Sequence, residues 1–340
     1  MSRPDVPPTS AARLLADGLL GHADQVAVAR ESVSGLDRGH AQRAIDLDVL
    51  GGLSVRLLPD RGLDITAAWW DGIPLAWVSR VAEVRGRPTD APGDWIRAFG
   101  GGLVTTCGLQ NVGSPSEGHG QHGAFSSASA SSVHVAREVV GDELELVVSG
   151  LVEECDALDT FLECRRTVTT RTGSAHLTLT DVVTNRGAEP LAAPMLYHVN
   201  VGAPVWSPGA RLEVPGRAAT VPRDVDAEAA LDGWDVAPTP VPDARERVFE
   251  HLFDEAAGRR EVRIVNDALR VAVTVSWSAG SMPRLHQWVH PRSGVYVLGV
   301  EPANCSVLGR GVDRAAGRLP ALSPEESRTT SLHITAEHLP

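Results

Sequence analysis

The chain has 340 residues, 43% of them hydrophobic and 22% charged, which is globular material long enough to bury a large core. Its formal net charge of -12 excludes the basic surface that nucleic acid or an anionic membrane would select. Every basic residue is arginine, so a Schiff-base lysine, a pyridoxal phosphate anchor and a P-loop lysine are excluded together. The expected partner is a small molecule, either neutral or an anion held by local arginines.

Residues 1–8 (MSRPDVPP) are expected to be disordered. They carry no basic patch leading into an apolar run, so no signal peptide is expected. Ser10 is a candidate cap for a short helix over 10–20, with Leu14, Leu15 and Leu19 on one face. Residues 1–25 thus read as a tail and short helix, and 26–340 as a single β-sandwich domain. Strands are predicted over 26–29, 42–49, 53–58, 133–139, 143–148, 167–170, 176–183, 262–265, 269–277, 295–300 and 331–335. They are short and rich in Val, Thr and Leu, and several alternate with period two, as in His176-Leu-Thr-Leu-Thr-Asp181. Gly141-Asp142 and Asn266-Asp267 read as hairpin tips.

The chain shows no βαβ alternation, no GxGxxG after a strand and no fixed-period repeat, which disfavours Rossmann, propeller and solenoid folds. The Pro-rich stretch 204–242 reads as long surface excursions. No run approaches the roughly 20 apolar residues that span a bilayer. Cys107, Cys155, Cys164 and Cys305 form no CxxC pair and read as reduced thiols of a cytoplasmic protein. The expected class is all-β, a large β-sandwich.

Three places could carry chemistry. Gly100–Asn111 and Gly118–Gly123 form a glycine-rich stretch in which His119 and His122 would sit on a tight, accessible loop. A mobile linker with incidental histidines is the plainer alternative. His198 and Asn200 share one face of the strand-like run Met195–Gly202, where an apolar setting also fits a satisfied core histidine. Glu301 closes an apolar run, with Pro302 expected to end the pairing, and a carboxylate so placed needs a partner or a task. Smaller signals are the Pro59–Asp64 turn, where Arg61 pairs with an Asp or faces a hydroxyl, and His286-Gln287-Trp288, an aromatic plane with amide donors. Cys107, His119, His122 and His198 are ligand types for zinc but match no compact zinc spacing, and no metal is expected.

In this order, Leu58-Pro-Asp-Arg-Gly-Leu-Asp-Ile65, Gly102–Gly113, Gln121-His-Gly123, Tyr197-His-Val-Asn200, Gly299-Val-Glu-Pro-Ala-Asn-Cys305 and Leu319–Glu326 resemble the aldose 1-epimerase (galactose mutarotase-like) superfamily. More closely, they resemble a little-characterised branch of it, over roughly residues 40–335. The resemblance implies a large β-sandwich that binds a carbohydrate and needs neither cofactor nor metal; a homodimer is compatible with it. It also implies a catalytic set: His122 holding the sugar near its ring oxygen, His198 as general acid and Glu301 as general base. Substrate contacts are expected from Arg61, Asn111, His119, Asn200, Gln287, Trp288 and Asn304. The chain departs from the better-known mutarotases where their Gly-Arg-x-x-Asn-Arg segment is replaced by Thr105-Thr-Cys-Gly108.

Interconverting anomers asks for such a set. A base removes the C1 hydroxyl proton while an acid protonates the ring oxygen, and the two are expected to flank the acetal. An epimerase, isomerase or lyase acting on an oxidised or modified sugar would use the same groups. A non-catalytic carbohydrate-binding protein would keep the fold alone.

Overall fold

The computed structural model describes residues 10–34, 41–82, 94–254 and 258–340. The tail expected to be disordered lies outside them. Ser10 caps a helix, its hydroxyl accepting from the Arg13 amide at 3.2 Å, but the helix spans only Ala11–Ala16. No helix among the described residues is long and apolar enough to cross a membrane.

Two large antiparallel sheets make the molecule all-β. The smaller has 8 strands, in spatial order Arg211–Glu213, Arg259–Asn266, Val271–Ser278, Ser327–His338, Ser174–Asn185, Phe161–Arg171, Glu143–Cys155 and Ser131–Val140. Its strands alternate buried and half-exposed positions, because one face packs on the core and the other meets water. Gly141-Asp142 forms the tip between Val140 and Glu143, as expected, with Gly141 in the left-handed region. Asp267–Arg270 closes the hairpin between Asn266 and Val271.

The larger sheet has 11 strands. Along its main path lie Ala27–Ser34, Gln42–Val49, Ser54–Leu58, Asp64–Trp70, Val104–Gly108, Met195–Val201, Val297–Ala303, Arg284–His290, Arg247–Phe253 and Arg217–Pro222. Met195–Val201 and Val297–Ala303 are buried at every residue, so both faces of this sheet are covered in the middle. Met195, Tyr197, Val199, Leu298 and Val300 point to the core between the sheets. Leu196 and Ala303 point the other way, into a second apolar cluster with Trp95, Phe99 and Val112. That outer face holds the candidate site.

Three expectations change. The strand bearing Glu301 does not stop at Pro302, which pairs with Leu285 and sits inside Val297–Ala303. Within the glycine-rich stretch, Thr105-Thr-Cys-Gly108 belongs to a buried central strand, Val104–Gly108, and the histidines follow on the loop beyond it. The Pro-rich stretch does more than cross the surface: it supplies Arg211–Glu213 to the edge of one sheet and Arg217–Pro222 to the edge of the other.

One buried ionic network ties the sheets together. All five N–H groups of Arg166 donate: Nε and Nη2 to Asp181, Nη1 to Asp64 and to the Gly62 carbonyl, and Nη2 also to the Thr106 hydroxyl. Tyr197 Oη donates to Asp181 at 2.8 Å, and Thr106 donates to Asp64 through both its amide and its hydroxyl. Of the aspartates in the 59–64 turn, Asp64 pairs with Arg166 and Asp60 with Arg43.

Candidate functional site

The antiparallel register that joins Leu196 to Ala303 and Val199 to Val300 sets His198 opposite Glu301 on neighbouring strands. Both lie on the outer face, and His198 Nε2 stands 3.1 Å from Glu301 Oε1. Gly299 makes room for them. A Cβ there would meet Glu301 Oε1 at 2.8 Å and His198 Cε1 at 3.1 Å, so a side chain at 299 would push the pair apart.

Above the pair opens a cleft of about 350 Å³, in the range of small-molecule sites. The short helix Asp94–Ala98 supplies one wall. Trp95 and Phe99, four residues apart, stack with ring centroids at 4.3 Å, and Phe99 packs on His198 at 5.2 Å. Trp288 stands edge-on to His198 at 5.2 Å and donates from Nε1 to Glu246 at 3.0 Å. Arg223 Nη2 donates to the other oxygen of Glu246 at 2.9 Å. His122 comes from the glycine loop in the left-handed region, its Nδ1 accepting from the Gly113 amide at 3.3 Å. That bond puts the proton of the neutral ring on Nε2.

Burial sets the electrostatics. Desolvation pushes Glu301 up to about 8. It pushes His198 down to about 3, with His122 adding to the shift and the Asn200 side chain opposing it, and it pushes His122 down to about 4. The His198–Glu301 pair therefore holds a single proton across the neutral range. Glu246 behaves in the opposite way: burial raises it, but hydrogen bonds from Arg223 and Trp288 outweigh that and hold it below its usual range. The cleft thus contains one carboxyl that keeps its proton and one that has lost it.

Of the residues singled out in the sequence, His122, His198, Trp288 and Glu301 line the cleft. The other six lie outside its lining. Arg61 is buried with Nη2 donating to the Ala98 carbonyl at 2.9 Å, at the end of the helix that carries Trp95. Asn111 binds the Ser114 and Gly120 carbonyls and accepts from the Arg310 amide, which shapes the loop leading to His122. His119 pairs with Arg310. Asn200 lies behind His198, its Nδ2 donating to the Gly102 and His198 carbonyls. Gln287 falls on the opposite face of its strand and bonds His251 and the Trp234 carbonyl. Asn304 bridges strands by accepting from the Met195 amide and donating to the Ala193 carbonyl.

Sequence reading missed Arg223, Glu246 and Trp95. The Trp95–Phe99 spacing marks one helix face and was a signal the sequence offered, whereas Glu246 precedes Arg247–Phe253, whose charges at 247 and 250 show no period two. Arg223 sits in the Pro-rich stretch, where nothing local distinguishes it from a solvated arginine. Among the described residues, no group of three or more His, Cys, Asp and Glu side chains could hold a metal ion.

Residues 39–336 match the profile of a family described as a domain of unknown function (DUF4432). No curated protein matches the chain. Among solved structures, a Klebsiella pneumoniae protein provisionally named an aldose 1-epimerase is similar at 23% identity with a TM-score of 0.80, over 95% of this chain and 90% of that one. A galactose mutarotase-like protein from Clostridium acetobutylicum is similar at 14% identity and a TM-score of 0.63, over 93% of this chain and 100% of that one. A galactose mutarotase related enzyme from Lactobacillus acidophilus is similar at 12% identity and 0.51, over 91% and 97%. At such identities the likeness establishes the fold: a galactose mutarotase-like β-sandwich.

Proposed function

The chain belongs to the DUF4432 family, and we propose that it is a mutarotase-type isomerase, interconverting the anomers of a sugar by acid–base ring opening in the cleft above Glu301 and His198. The observation that carries this reading is the pair itself: a carboxyl and an imidazole 3.1 Å apart at the base of a cleft walled by Trp95, Phe99 and Trp288.

Acid and base need not stand on either side of the acetal. Side by side serves as well, because the C1 hydroxyl oxygen and the ring oxygen hang on the same carbon. Passing the shared proton from Glu301 to His198 gives a carboxylate next to an imidazolium. Glu301 then takes the C1 hydroxyl proton as His198 protonates the ring oxygen. The bond from C1 to the ring oxygen breaks, the C1 carbonyl forms, and the pair again holds one proton. The aldehyde rotates about C1–C2, and the same steps run backwards on its other face. Neutral His122 offers an Nε2 proton to a sugar oxygen. The Glu246 carboxylate accepts from hydroxyls, and the aromatic rings stack on C–H faces.

Polarimetry or NMR exchange on a panel of free sugars tests this directly. Glu301→Gln and His198→Asn should each lower anomer exchange by about 10²–10⁴-fold, the usual contribution of one proton-transfer group. Exchange on some sugar that survives both substitutions would refute the assignment. So would a wild-type protein that accelerates exchange of none.

A further inference from the structure

The cleft does not end at the acid–base pair. Past Arg223, Val248 and Val307, which line both spaces, lies a second chamber of about 280 Å³. Cross-strand register explains its position. Glu301, His286 and Glu250 form one row across three neighbouring strands, so the side chains that follow Glu301 along that row lead into the chamber. Glu250, Arg284, Arg318 and Ser306 give it a polar lining, and Pro222 and Leu308 give it apolar faces.

The charges in this chamber are matched. Arg284 pairs with Glu250, Arg318 Nε donates to Asp313 at 2.5 Å, and Arg223 is shared between Asp224 and Glu246. A phosphate or sulfonate would have to compete with carboxylates already in place. Hydroxyl groups would not, because fixed guanidinium N–H groups and carboxylate lone pairs offer them donors and acceptors together. One donor, Arg284 Nε, is buried without a partner among the described residues. Alternating polar and apolar lining suits a pyranose, which has hydroxyls at its rim and C–H groups on its faces.

We propose that this chamber is a subsite for a second glycosyl unit, so that the substrate is the reducing end of a disaccharide or longer oligosaccharide. The inference rests on the acid–base reading above for its chemistry, but not for its binding. The test compares maltose, cellobiose, lactose and gentiobiose with glucose and galactose, adding glucose 6-phosphate and glucuronate as anionic probes. Exchange is followed by NMR and binding by calorimetry, on the wild type and on Leu308→Trp. Leu308 is 46% exposed, so the larger ring fills the chamber without entering the core.

At least one disaccharide should exceed the better monosaccharide by about tenfold in kcat/KM and in affinity, the worth of one well-made polar contact. Leu308→Trp should erase that ratio. Disaccharides no better than monosaccharides in both readouts would overturn the subsite, as would a preference for either anionic probe. If no sugar is exchanged while a disaccharide binds more tightly in a Leu308-dependent way, the subsite stands and the acid–base reading falls.

Discussion

Tyr197 and His198 are neighbours on one strand, yet they serve two buried polar clusters of opposite character. On the inner face, Tyr197 joins Arg166, Asp64, Asp181 and Thr106 in a network where every guanidinium N–H has an acceptor. On the outer face, His198 meets one carboxyl, and its Nδ1 is buried without a partner among the described residues. The inner network is buried between the sheets with every guanidinium N–H paired; the outer pair opens on a cleft and keeps an unpaired nitrogen among the described residues. Burial of ionisable groups is common to both, so burial alone does not mark a site. What separates them is whether hydrogen-bonding capacity is left over and whether a ligand can reach it.

The difference can be broken from either side. Arg166→Met should cause the largest loss of stability, about 3–5 kcal/mol, because it strands two carboxylates between the sheets. Urea denaturation measures it, and a loss below about 1 kcal/mol would show that the network is not the tie we describe. Gly299→Ala attacks the other cluster without replacing an ionisable group. The added Cβ crowds Glu301 and His198, and kcat should fall about 10²-fold, as misplacement of a reacting group does, with Tm little changed.

Glu301→Gln sharpens the comparison through pH. The folded protein holds the Glu301 proton up to about 8, whereas an ordinary Glu releases it near 4.5. Between these values the unfolded chain binds fewer protons than the folded one, so this residue's contribution is fully present below 4.5 and is lost as pH rises to about 8. Glutamine imitates the protonated form. The variant's Tm should match wild type near pH 4.5 and exceed it by a margin that grows up to about pH 8 and then levels off. Equal melting curves at all pH values would deny the raised value. The smallest effect is expected for Tyr197→Phe, about 1 kcal/mol, since Asp181 keeps two bonds from Arg166 when the phenol is gone.

How much of this was legible in the sequence follows from solvent exposure. The smaller sheet announced itself, because strands such as Ser174–Asn185 are wet on one side and alternate with period two. Asp64–Trp70, Val104–Gly108, Arg247–Phe253 and Arg217–Pro222 did not. The first two are buried on both faces and lose alternation, and the last two mix charge with turn residues. His198 and Glu301 stood out as polar residues inside apolar runs, which is how an under-satisfied buried group looks in one dimension. Gln287 looked equally promising beside Trp288, but adjacent strand residues point to opposite faces, and only pairing with the other strands decides which face is the cleft. Arg223 and Glu246 reach the site from segments whose charges resemble any solvated surface.

The central claim is that Glu301 and His198 share one proton and that this proton does the work. The pH dependence of kcat for anomer exchange tests it most directly. Activity should hold from pH 5 to 7 and fall as pH passes about 8, where the pair loses its proton. A profile that instead rises through the ordinary carboxylate range near 4.5 and stays level beyond pH 9 would mean that Glu301 acts as a plain carboxylate, and the shared-proton account would be wrong.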